Sequence, residues 1–394
     1  MYTRELVSKL VSRLSEPRKF IQIIAGPRQT GKTTAVLQAL ARTSTPHRFI
    51  SADDPNAAST EWLRNEWEQA RLLASNSEAI LVIDEVHKIK SWSSMVKLLW
   101  DEDTRRQILL KVVLTGSSAL LIQKGLSESL MGRFEVLFSP HWSYKECRDA
   151  FGYSFEDFLL FGGYPGAADL ISDETRWSRY MGMSIVEPTI SQDILMMEEV
   201  RKPALLRSLF LLGSGYSSQE VSYTKMLGQL QDSGNTVTLA HYLDLLSKAN
   251  MITGLQCYTG NLLRSRKSSP KLMVYDTSLM TWSEGSNRMK LLDDNMQRGR
   301  LVESAVGAFL LARSREEGFE VYWWRDRGNE VDFVIQKGKK LIALEVKSGR
   351  VRNSGGGLAF KAKYPEALAI TIGSIEYGLE DFLLGYHLEN LLRG

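Results

Sequence analysis

Residues 26–33 read Gly-Pro-Arg-Gln-Thr-Gly-Lys-Thr, which fits the pattern glycine, four variable residues, Gly-Lys and a hydroxyl residue at every position. The flanks place it where its mechanism needs it. Residues 20–25, Phe-Ile-Gln-Ile-Ile-Ala, read as a short buried strand, and residues 34–42 read as a helix. A glycine-bearing turn between strand and helix aims several backbone N–H groups at one point, and the helix terminus adds partial positive charge there. The pattern therefore predicts a phosphate cradle made of Gly26, Pro27, Arg28, Gln29, Thr30, Gly31, Lys32, Thr33 and Thr34. In it Lys32 reaches the β- and γ-phosphates of ATP, and the Thr33 hydroxyl holds Mg2+.

Strand and helix patterns alternate beyond the turn. Residues 47–51 read as a strand, 62–75 as a helix, and 79–83 as a wholly apolar run ending in Asp84-Glu85. A run with no polar face is the pattern of a parallel strand buried on both sides. Acids at its C-terminal end lie in the crevice where such sheets bind ligands. Asp84 is expected to support Mg2+ through water, and Glu85 to orient and polarise the attacking water. Residues 111–114 give another strand, ending in Thr115-Gly116-Ser117-Ser118. A hydroxyl there can bond the γ-phosphate or the water; Ser117 is the first choice and Thr115 the second. Arg133 opens a fifth strand and has two readings: a stabiliser of γ-phosphate charge, in its own subunit or across a subunit contact, or a surface arginine in a salt bridge.

The chain has 394 residues, enough for two or three domains, with boundaries expected at 1–150, 151–285 and 286–394. A net charge of +3 is too small to demand a polyanionic partner, so any basic surface has to be local. The two cysteines, Cys147 and Cys257, are too few and too far apart for a disulfide framework or a zinc cluster, and they fit a reducing cytoplasm. No apolar run approaches the ~20 residues of a membrane span, and the start, Met1-Tyr2-Thr3-Arg4-Glu5, lacks a secretory pattern. Ser354-Gly355-Gly356-Gly357 reads as a flexible loop.

In the middle segment, 155–161 and 176–195 read as helices. Residues 204–212 and 222–230 follow as helices, then a turn, Gln231-Asp232-Ser233-Gly234-Asn235, and a third helix over 237–249 capped by Thr236. Two helices around a short glycine turn match helix-turn-helix geometry. Strands at 251–257 and 271–275 complete the outline of a winged helix. The loop between them carries Arg264, Arg266, Lys267 and Lys271, with no acid between Tyr258 and Tyr275, and is the candidate DNA phosphate contact. Packing against another domain is the competing reading. The third helix has only His241 and Lys248 as basic residues, too few for sequence-specific readout.

The last segment reads as a helix at 300–313 containing Glu303, strands at 319–324, 329–335 and 340–347, a helix at 359–364 and a strand at 368–372. Residues two apart in a strand face the same side, so Glu345 and Lys347 project together, and Asp332 on a neighbouring strand can meet them. Carboxylates so placed can hold Mg2+ while the lysine orients water.

Taken together, Gly26 to Thr33, Asp84-Glu85, Thr115 to Ser118 and Leu130 to Arg133 resemble an AAA-type P-loop ATPase. With Gly162-Gly163-Tyr164-Pro165 and the C-terminal acids, the chain resembles, more narrowly, the prokaryotic ATPases that carry a C-terminal DUF4143 region. The C-terminal order of elements, with Glu303, Asp332, then Glu345 and Lys347, resembles PD-(D/E)xK nucleases, although Val331 stands where a proline often precedes the first acid. The resemblance implies an α/β architecture: a P-loop NTPase with a parallel sheet, then a winged helix, then a restriction-endonuclease-like domain. It implies ATP and Mg2+ as ligands, DNA as partner, no membrane, and a capacity for homo-oligomers of unfixed number. Two functions stay open on these residues: an ATPase that moves its appended domains on DNA, and a nucleotide-dependent switch for a protein partner with an inactive nuclease-like domain.

Overall fold

The apolar runs of the N-terminal part become five parallel strands, β1 (Ile21–Ala25), β2 (His47–Ser51), β3 (Ala79–Asp84), β4 (Leu110–Gly116) and β5 (Phe134–Phe138), in the order β2-β3-β4-β1-β5. The computed structural model describes residues 2–54, 59–75, 77–116, 130–195, 200–230, 235–260, 268–285, 288–349 and 355–393. They divide into two compact units, Met1–Pro140 and His141–Gly394.

In the first unit every residue of β1, β3 and β4 is buried, because helices cover both faces of the sheet. Successive side chains go to opposite sides. Ile21, Ile23, Leu81, Ile83, Val112 and Leu114 meet Leu63 and Trp67 of α3 (Thr60–Leu73) and Leu99 and Trp100 of α4 (Trp92–Arg106). Ile24, Ile80, Val82 and Val113 meet Val36 and Ala39 of α2 (Lys32–Leu40) and Leu6, Val7 and Leu10 of α1 (Glu5–Ser15). Truncating one such residue to alanine costs about 2–5 kcal/mol. Between α3 and α4 the fully buried Asp103 accepts from Arg71 Nε at 2.6 Å and Trp67 Nε1 at 2.8 Å, so its charge is paired where water is absent.

The second unit holds two sheets. β6 (Gln219–Glu220), β7 (Ile252–Leu255) and β8 (Lys271–Val274) form an antiparallel sheet in the order β6-β8-β7. It is preceded and interleaved by helices Pro203–Gly215, Tyr223–Leu230 and Thr236–Lys248. The last of these is capped by Asn235, whose side chain accepts from Thr238 N at 2.8 Å, one residue before the expected cap. The expected helix over 176–195 is an α-helix, Glu174–Tyr180, running into π-helical turns at Met181–Val186 and Thr189–Ile194.

The other sheet runs β12-β11-β10-β9, from β9 (Glu320–Asp326), β10 (Asn329–Lys337), β11 (Lys340–Val346) and β12 (Leu368–Ile372). β9, β10 and β11 are antiparallel neighbours; β12 is parallel to β11, and helix Gly356–Lys363 makes the crossover that parallel pairing requires. Glycines 355–357, read from sequence as loop, are the cap and first turn of that helix. A Cβ on Gly356 would lie 1.9 Å from the Glu330 carbonyl oxygen, so glycine lets the helix approach β10. Ser354 lies outside the described residues.

Gly162-Gly163-Tyr164-Pro165 closes on Asp276. Gly162 is left-handed (φ +65°), and a Cβ there would lie 1.9 Å from Asp276 Oδ1. Gly163 donates its N–H to Asp276 Oδ2 at 2.7 Å. The motif is a clasp around a buried carboxylate.

Candidate functional site

Parallel pairing brings the C-terminal ends of the strands to one edge: Ala25 is level with Gly116, and Ile83 with Leu114. The turn after Ala25 and the acids after Ile83 therefore share one crevice. Gly26 must lack a side chain, because a Cβ would lie 2.0 Å from the Ser139 carbonyl oxygen. Gln29 (φ +56°) and Gly31 (φ +83°) are both left-handed, a curvature that turns successive N–H groups inward as an anion nest. An added Cβ at Gly31 would meet nothing within 4 Å, so the cradle is open there. Thr30 is fully buried and donates to the Pro27 carbonyl at 3.1 Å, bracing the turn, while Arg28 is half-buried and Gln29 and Thr34 are exposed.

Lys32 is buried and donates to the carbonyl oxygens of Gly26 (3.1 Å) and Pro27 (2.5 Å), which hold its charge inside the turn. The Thr33 hydroxyl donates to Asp84 Oδ2 at 3.0 Å, and the Thr115 hydroxyl donates to Asp84 Oδ1. Burial pushes the Asp84 carboxyl above its ordinary pKa, and the two hydroxyls oppose that shift. A buried carboxylate touching a threonine hydroxyl is an oxygen donor pair of the kind Mg2+ takes beside a phosphate, so these residues fit that ion. Glu85 follows in a left-handed conformation (φ +53°), and its Oε2 lies 3.4 Å from His87 Nδ1. Burial pushes the His87 pKa below its ordinary value, which keeps the ring neutral beside Glu85 near pH 7.

Two residues here carry no signal in the sequence pattern. His87 is one. Arg4, just before α1, is the other: it is buried and donates to the Thr30 carbonyl (3.1 Å), the Ser139 hydroxyl (3.1 Å) and the Pro140 carbonyl (3.2 Å). It thereby pins the phosphate turn to the end of β5. Only its place before an amphipathic helix could have hinted at this.

Arg133 does not join the site of its own chain. It precedes Phe134, which pairs with Ile21 at the far end of β1 from Ala25, about 13 Å of strand away. Its guanidinium forms a two-pronged pair with Asp101, Nε to Oδ1 at 2.7 Å and Nη2 to Oδ2 at 3.0 Å. Strand direction decides this, since an arginine opening a parallel strand faces away from the crevice at the strand ends. Ser117 lies outside the described residues; Thr115 is the hydroxyl that the structure brings to Asp84.

The C-terminal acids meet a cation. Lys271, expected on an exposed basic wing, is 2% exposed, and its Nζ lies 2.5 Å from Glu303 Oε1, 3.2 Å from Glu330 Oε1 and 3.6 Å from Asp332 Oδ1. The first position of β8 points into the unit rather than out of it, which corrects its assignment as a DNA contact. Burial works against its charge, and the three carboxylates outweigh that and hold its pKa above the ordinary lysine range. Asp332 stands one residue beyond Phe333, which pairs with Leu344, the neighbour of Glu345. Its Oδ2 accepts from Val346 N at 2.8 Å. Glu345 Oε1 accepts from Gly357 N at 2.5 Å, and its Oε2 lies 3.8 Å from Lys347 Nζ. Glu303, Glu330 and Asp332 thus gather around Lys271, and among the described residues no group of three or more His, Cys, Asp or Glu is placed to hold a metal. Mg2+ does not fit this set as it stands. Arg264, Arg266 and Lys267 lie outside the described residues.

No helix among the described residues is long and apolar enough to cross a membrane. Three family models match the chain: an AAA domain over residues 18–148, a domain of unknown function (DUF8612) over 152–290 and a domain of unknown function (DUF4143) over 298–383. Two uncharacterised proteins, from Mycobacterium bovis and Mycobacterium tuberculosis, are each 25% identical over 328 residues, covering 83% of this chain and 70% of theirs. Among solved structures, a Walker-type ATPase of Pyrococcus abyssi is similar at 17% identity and a TM-score of 0.49, over 72% of this chain and 96% of that one.

Proposed function

From a chain that carries an AAA-type P-loop ATPase domain at its N-terminal end and a DUF4143 region at its C-terminal end, we propose a Mg2+-dependent ATPase whose turnover acts on DNA through a winged-helix middle segment. The observation that carries the hydrolytic part is the convergence of Lys32, Thr33, Asp84, Thr115 and Glu85 on one crevice. The N–H groups of the turn and Lys32 bind the triphosphate. Thr33 and Asp84 would hold Mg2+, which when bound neutralises charge on the phosphate oxygens. Glu85 accepts a hydrogen bond from the attacking water and draws off its proton. Arg4 is a positioning residue for the turn.

The DNA part rests on two supports: the helix and strand order around β6, β7 and β8, and the acid-free run from Tyr258 to Tyr275 with Arg264, Arg266 and Lys267. The second reading, a nucleotide-dependent switch with a catalytically silent C-terminal region, is favoured by the committed state of Glu303, Asp332 and Glu345. ATP turnover by the full chain, with and without single-stranded, duplex and branched DNA at low and moderate salt, separates them. Salt-sensitive stimulation supports action on DNA. Steady turnover indifferent to every DNA form removes the DNA part and leaves the switch.

A further inference from the structure

We propose that Lys271 is a resident cation occupying the acid-lined site of the C-terminal region, and that this lysine closes the site to divalent metal. The ammonium arrives from β8, in a different sheet from the acids it meets. Glu303 comes from helix Asn295–Glu317, and Glu330 and Asp332 come from β10. Lys271 lies within residues 152–290, whereas Glu303, Glu330 and Asp332 lie within 298–383, so the cation and the acids belong to different matched regions.

Coordination chemistry makes the two cations mutually exclusive. A divalent ion such as Mg2+ needs oxygen ligands at about 2.0–2.6 Å. The Lys271 Nζ stands within 2.5 Å of one Glu303 oxygen and 3.6 Å of one Asp332 oxygen, which fills that space. The remaining Asp332 oxygen is held by the Val346 N–H at 2.8 Å, and Glu345 is turned to the Gly357 N–H at 2.5 Å. β10 is irregular between Val331 and Val334, a span that includes Asp332. The bond between the two regions is electrostatic and buried: Lys271 without these acids would be an unpaired charge in the interior, and the acids without Lys271 would crowd like charges together. Removing the ammonium while keeping the side-chain volume therefore leaves a pocket that attracts a cation.

The test is Mn2+ binding to the nucleotide-free full chain, read from the electron paramagnetic resonance signal of free Mn2+. It compares the unaltered protein, Asp332→Asn, Lys271→Met and the double variant, with circular dichroism as the folding control. The unaltered protein and Asp332→Asn should bind the same number of ions. Lys271→Met should bind one more, and the double variant should lose it. A folded Lys271→Met that gains no ion overturns the proposal, as does an ion bound by the unaltered protein that Asp332→Asn removes. If Lys271→Met does not fold, the comparison of the unaltered protein with Asp332→Asn decides alone: equal stoichiometry upholds the closed site, and loss of one ion refutes it.

Discussion

The Thr33 hydroxyl donates to Asp84 Oδ2 at 3.0 Å, joining two residues 51 apart in sequence. That bond ties the first turn of α2 to the end of β3 and sets the two halves of the nucleotide site against each other. Asp84→Asn should lower ATP turnover by roughly 10²-fold or more, the scale of losing several kcal/mol of metal-borne charge stabilisation. The melting temperature should hold or rise, because burial disfavours the Asp84 charge in the fold. Parallel turnover and calorimetry check this, and a drop in both would make Asp84 a structural acid.

Glu85→Gln keeps the shape of the side chain and removes the base. Turnover should fall by about 10² to 10⁴-fold, while nucleotide affinity is unchanged. Fluorescent-nucleotide binding beside single-turnover hydrolysis separates the two effects. Hydrolysis at the original rate would assign the base to another residue.

Arg133→Ala should leave turnover unchanged and reduce stability by only about 0.2–1 kcal/mol, since it breaks a partly exposed pair with Asp101. Turnover measured over a range of protein concentrations is the check. A tenfold loss that appears only where the chain self-associates would give Arg133 a role across a subunit contact.

Asp276 supplies a pH dependence. Burial pushes its carboxyl from an ordinary 3.8 up to about 6, and hydrogen bonds from Ser278 and Gly163 counter that only in part. The folded state therefore keeps a proton that the unfolded chain has released. Its stabilising contribution is whole below pH 3.8 and is lost as pH rises through 6, a fall of about 3 kcal/mol. Urea unfolding at a series of pH values, with Asp276→Asn as reference, should show the difference shrinking across that window. A flat difference would mean that Asp276 ionises in the fold as it does in water.

The nucleotide half of the molecule was legible because its signals are local. A buried strand, a glycine turn and a helix are consecutive in the chain, and Asp84-Glu85 follows a run that only a central parallel strand explains. Arg4 was not legible, because nothing near it in sequence tells that its guanidinium reaches Thr30 and Ser139. Lys271 misled for a related reason: a lysine in a basic stretch reads as solvent-facing until the strand places it, and its partners are 32 to 61 residues away. Of the two readings of Arg133, the salt bridge is the one formed within the chain, because strand direction sends the start of β5 to the far edge of the sheet. The paired glycines 162 and 163 became intelligible only with Asp276, which local sequence cannot supply.

The most direct test of the central claim is steady-state ATP turnover by the full chain with Mg2+, with the metal chelated, and in Lys32→Ala. Chelation should abolish turnover. Lys32→Ala should bind nucleotide about 10 to 150-fold more weakly, the equivalent of losing a charge-assisted hydrogen bond worth roughly 1.5–3 kcal/mol, and should not turn over. Hydrolysis that persists in Lys32→Ala at the original rate, or without divalent metal, would contradict the assignment of the crevice between β1 and β3 as the catalytic site.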